Sequence, residues 1–113
     1  MASQSFPLKP RYSDDLESIS KVTVHALNQN GDWIWRPSTT EIFTSDDGIN
    51  FTSVGTTNEY SKKENATGTM TVNFTTVNTR YVKVLIKNWG TIPPGNSGSG
   101  NPAWLFVDEI EME

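Results

Sequence analysis

The chain has 113 residues, of which 35 % are hydrophobic and 19 % charged, with a formal net charge of −4, the size and balance of one globular domain with a single core. An acidic chain without a Lys/Arg cluster lacks the phosphate attraction that dominates affinity for nucleic acid, so no nucleic-acid partner is expected. It contains no cysteine, which excludes a disulfide framework, a thiolate metal site and a cysteine nucleophile.

In chain order, residues 1–18 carry Pro7, Pro10 and mixed charge without periodicity, and read as an irregular lead-in or a strap along the surface. Met1 to Pro7 lack the charged-then-apolar pattern of a signal peptide, and no stretch approaches ~18 apolar residues, so no membrane span is expected. From Ile19 the pattern alternates. Val22, Val24 and Ala26 share one face and Lys21, Thr23 and His25 the other, which predicts a half-buried strand. After a loop at Asn28 to Gly31 comes Trp33-Ile34-Trp35-Arg36-Pro37, aromatic and then stopped by proline, and Thr39 to Ser45 reads as the next strand.

Asp47-Gly48 between two apolar runs predicts a hairpin turn, because glycine tolerates positive φ and aspartate bonds back to its own backbone. Phe51 to Gly55 is then the returning strand, and residues 56–66 are a polar surface excursion. Met70, Val72 and Phe74 alternate with threonine and asparagine, Val82, Val84 and Ile86 alternate with lysines, and a last strand runs from Trp104 to about Met112. About six or seven strands without a helix predict an all-β, antiparallel sandwich.

The string Ser45-Asp46-Asp47-Gly48-Ile49-Asn50-Phe51, the strand Thr79-Arg80-Tyr81-Val82-Lys83-Val84 and the closing Phe106-Val107-Asp108-Glu109-Ile110 resemble, in this order, the discoidin or coagulation factor V/VIII type C domain. Trp33 to Pro37, Lys87 to Pro93 and Asn101 to Ile110 look, further, like the sandwich module appended to bacterial family 20 β-N-acetylhexosaminidases and chitobiases, near the family 32 carbohydrate-binding modules. The resemblance covers residues 19–113 and implies a galactose-binding-like jelly roll. The opening strands and loop usual in the family are missing from residues 1–18, as if truncated or replaced. That loop supplies most of the oxygen ligands of the family's structural calcium, so only Glu109 is left here to match a calcium ligand.

Carbohydrate recognition needs exposed aromatic faces for the apolar side of a sugar and polar forks for its hydroxyls. Trp89 and Trp104 flank a long Gly/Pro/Ser/Asn loop, and Trp33, Trp35 and Arg36 fall between two strands, where the indoles form either a stacking platform or core packing. The resemblance lends His25 and Asn28 a sugar-binding role beside Arg36. No catalytic residues are expected, since one histidine without a cysteine or a nucleophile elbow makes no triad. The reading is a non-catalytic carbohydrate-binding module of a secreted, periplasmic or cell-surface glycoside hydrolase. Its partners are then an oligo- or polysaccharide and the catalytic domain of the same parent chain. The alternative is a structural accessory domain that packs on that neighbour and binds nothing.

Overall fold

The computed structural model describes residues 2–7 and 16–113. Among these residues eight strands form two four-stranded sheets: β1 (Ala2–Pro7), β2 (Glu17–Leu27), β3 (Thr39–Ser45), β4 (Thr52–Thr57), β5 (Ser61–Lys62), β6 (Thr67–Thr79), β7 (Tyr81–Lys87) and β8 (Val107–Met112). The first sheet has the order β1-β7-β3-β4 and the second β5-β6-β2-β8, with every neighbouring pair antiparallel. A short 3-10 turn at Asn30–Asp32 is the one helical segment among the described residues. The expected all-β antiparallel sandwich is what forms.

Alternation builds the core. Val22 and Val24 of β2, Met70 and Val72 of β6, Ile42 of β3, and Val82, Val84 and Ile86 of β7 are all buried between the sheets, because successive side chains of a strand leave on opposite faces. Removing such chains from water stabilises the fold by about 1.5–3 kcal/mol each. The buried threonine hydroxyls between the sheets are paired. Thr40 Oγ1 donates to Met70 Sδ (3.5 Å), and Thr79 Oγ1 donates to the Ser45 carbonyl (2.9 Å) while accepting from the Ser45 N–H (3.2 Å).

The sequence differs from this outcome at its two ends. Residues Ala2–Pro7, read as part of an irregular lead-in, form β1 and pair with β7 from Ala2↔Ile86 to Pro7↔Tyr81. Ala-Ser-Gln-Ser-Phe-Pro has no apolar alternation, so its strand state comes from backbone pairing to an open edge rather than from its own pattern. The strap expected over residues 8–15 lies outside the described residues. At the other end β8 begins at Val107, which leaves Trp104 in a loop rather than in a strand.

The hairpin expected at Asp47-Gly48 joins β3 to β4. Asp47 organises it: its carboxylate accepts from the N–H groups of Ile49 and Asn50 (2.8 Å each), from the Asn50 amide (2.9 Å) and from the Ser45 hydroxyl (2.8 Å). These bonds, the one from the Asn50 backbone foremost, hold its carboxyl far below the usual carboxylate range. Strand direction puts this turn at one end of the sandwich, and the loops after β2, β4, β5 and β7 together at the other.

Candidate functional site

At that second end the long loops after β2 and β7 fold onto each other around an aromatic cluster. Trp35, Ile92 and Ala103 are buried, with Trp33 and Trp89 packed on them. The local chain explains the geometry. After the 3-10 turn Trp33 takes a left-handed conformation (φ 67°), which breaks the alternation that would have put Trp33 and Trp35 on one face. Trp35 turns inward, its ring centroid 5.2 Å from that of Trp89 at 35°, a tilted aromatic pair. Trp33 lies against Gly98 and donates its indole N–H to Ser97 Oγ (3.2 Å).

Trp104 is the exception. Its N–H donates to the Trp33 carbonyl (2.9 Å) and its carbonyl accepts from the Trp35 N–H (3.1 Å), so its backbone runs beside Trp33–Trp35 in a parallel bridge with Ile34. The side chain nevertheless stands 60 % exposed. Ala103, which carries it, is fixed by its N–H to the Gly90 carbonyl (2.8 Å) and by the Asn88 amide on its own carbonyl (3.1 Å). A large apolar ring is thus held in water by a backbone with little freedom.

Arg36 ties three loops together. Its guanidinium carbon lies 5.2 Å from the Trp89 ring centroid and 5.7 Å from that of Tyr60, within cation–π range, and Nη1 donates to the carbonyls of Asn58 (3.0 Å) and Pro37 (3.2 Å). Asn28 Oδ1 accepts from the Arg36 N–H (2.9 Å). Tyr60 donates to the Ala26 carbonyl (2.9 Å), and its burial pushes the phenol above its ordinary pKa, against the opposing pull of Arg36. Beside Tyr60 a polar cleft of about 180 Å³ is lined by Asn28, Lys62, Asn65 and Thr67. Sequence reasoning missed Tyr60, although a lone aromatic within the polar stretch 56–66 was a usable signal.

Of the residues singled out in the sequence, Trp33, Trp35, Trp89, Trp104, Arg36 and Asn28 meet at this end. His25 goes elsewhere: on the outer face of β2 its imidazole contacts Glu111 and lies 3.9 Å from Glu109 on β8. Glu109 therefore sits beside a nitrogen donor on a strand face. Calcium takes six to eight oxygens, and the ligand-bearing side chains that converge with Glu109 are His25 and Glu111.

A family profile, the NedA-like galactose-binding domain of the F5/F8 type C group, matches residues 2–84. The chain belongs to the NedA-like galactose-binding domain family. Membership covers β1 to β6 and most of β7, including the residues read as a lead-in. The match ends before the loop that holds Trp89 and Trp104. It supports the discoidin-type family, whose domains are generally non-catalytic and point to saccharide ligands, and does not reach the finer likeness to the hexosaminidase module. No curated protein matches the chain.

Proposed function

We propose that this galactose-binding-like domain is a non-catalytic carbohydrate-binding module that presents Trp104 as its stacking face. The observation that carries the reading is the exposure of Trp104 on a backbone clamped by Trp33, Trp35 and Ala103. Burial of an indole is the default, and a rigid, exposed one offers an apolar sugar face a surface whose ordering entropy is already spent. Polar groups around the cleft beside Tyr60, with Asn28 and Lys62 among them, suit sugar hydroxyls. Affinity for a small sugar is modest, because each new hydrogen bond replaces one to water.

By the likeness of its Trp33–Pro37 and Asn101–Ile110 motifs to the hexosaminidase-appended module, the domain targets an attached glycoside hydrolase to galactose- or amino-sugar-containing polysaccharide at the cell surface or outside it. The test is titration of the domain with galactose, N-acetylglucosamine and chitobiose, in parallel with Trp104→Ala. Saturable binding that the variant loses supports the reading; binding that survives in the variant refutes the role of Trp104.

One observation favours a second reading. Phe106 and Val107, two and three residues on from Trp104, are also exposed (46 % and 37 %), and exposed apolar surface that gathers into a patch marks interfaces. In that case the patch docks on the catalytic neighbour, and joining the two domains raises the melting temperature without any sugar.

A further inference from the structure

We propose that the outer face of the second sheet carries a binding site for a first-row divalent transition cation, with Zn²⁺ the fitting metal, formed by His25 of β2 and by Glu109 and Glu111 of β8. The site is separate from the aromatic end and does not rest on the carbohydrate reading.

Register brings the three side chains together. In the antiparallel β2–β8 pair His25 faces Glu109 and Thr23 faces Glu111. Glu109 and Glu111, two apart, leave the strand on one face, and His25 leaves β2 on that same outer face, since its neighbours Val24 and Ala26 are buried. The register shifts between His25 and Ala26, and a bulge of that kind re-aims a side chain. His25 Nε2 contacts Glu111 Oε1, although Glu111 is the diagonal partner, and Glu109 Oε2 lies 3.9 Å from the same nitrogen. The three ligand atoms lie within 4.8 Å of one another, so small side-chain rotations bring all three to the ~2.0–2.2 Å at which imidazole and carboxylate bind zinc.

Charge and chemistry then choose the ion. Two carboxylates converge on one imidazole, and Lys21, further along β2, lies 3.9 Å from Glu113. A divalent cation neutralises the pair. One nitrogen and carboxylate oxygens suit Zn²⁺ and its neighbours in the first transition row, whereas Ca²⁺ and Mg²⁺ require all-oxygen cages. The imidazole is partly shielded (29 % exposed), and the carboxylates are more open at 62 % and 48 %, so water completes a site with three protein ligands. Two paired strands supply the ligands, so their backbone positions are set before metal binds.

His25 is the chain's one histidine and therefore its own reporter. Tag-free protein is titrated with Zn²⁺ alone while the imidazole ring protons are followed by NMR and binding by calorimetry, alongside His25→Gln, Glu111→Gln and the hairpin control Asp46→Asn. The expected result is one equivalent of Zn²⁺ that moves the His25 resonances. Both site variants then bind at least about tenfold more weakly and the control is unchanged. Excess Ca²⁺ should not displace the Zn²⁺. The proposal is overturned by His25 resonances that stay still up to about 1 mM Zn²⁺, by His25→Gln binding as tightly as the parent, or by Ca²⁺ competing on equal terms. The ring-proton readout on the parent protein decides the matter even where a variant fails to fold.

Discussion

Trp33 and Gly98 are packed so closely that a β-carbon on the glycine would lie 2.4 Å from Cε2 of the indole, well inside van der Waals contact. The contact joins the loop after β2 to the loop after β7. Gly98 also has φ +77°, where an L side chain is strained by about 1–2 kcal/mol. Gly98→Ala should therefore separate the two loops. A lower melting temperature and a changed tryptophan fluorescence spectrum are expected, with the β2–β6 core still folded by circular dichroism. An alanine variant indistinguishable from the parent would show that the loops are not locked at this point.

Trp35 and Trp104 differ in burial although their backbones are bonded to each other. Trp35→Ala removes the centre of the aromatic cluster and should cost about 3–5 kcal/mol of folding free energy. Trp104→Ala removes a ring that stands in water and should cost under about 1 kcal/mol. Denaturant melts of the two variants measure both, and similar losses would mean that Trp104 supports the fold.

Tyr60 spans Gly68, the Ala26 carbonyl and the Arg36 guanidinium. Gly68→Ala places a methyl group 2.2 Å from Cζ of the phenol, so Tyr60 must swing away at a cost of about 1–3 kcal/mol. Tyr60→Phe leaves the ring in place and gives up one hydrogen bond, about 1 kcal/mol. Thermal melts should rank the first variant below the second; the reverse order would mean that the ring is not packed on Gly68.

Asp47 predicts how stability responds to acid. Its folded carboxyl titrates below its ordinary range because four hydrogen bonds favour the anion. The contribution is therefore complete above the ordinary aspartate pKa of about 3.9 and is lost as pH falls through the lower folded value. Asp47→Ala should melt below the parent at neutral pH, with the gap closing as the solution is acidified. A gap that stays constant with pH would refute this role.

Much of the sandwich was legible because burial leaves a period of two. Val22/Val24/Ala26, Met70/Val72 and Val82/Val84/Ile86 alternate in sequence and point inward in space. β1 was not legible, since its register is set by the β7 edge it completes. The tryptophans were legible as a group but not one by one: Trp33 and Trp35 diverge because of a left-handed residue that composition does not announce. The meeting of Glu111 with His25 was not legible, because it depends on a diagonal pairing across β2 and β8.

Trp104 is proposed as the sugar-stacking face. Four tryptophans give four indole N–H resonances, and titration with galactose, N-acetylglucosamine and chitobiose followed by ¹H–¹⁵N NMR tests the claim most directly. The Trp104 indole is expected to shift first and saturate, with smaller movement at Trp33 and none at buried Trp35. If no sugar up to about 10 mM moves the Trp104 resonance, or if Trp104→Ala leaves an observed affinity intact, the claim is contradicted.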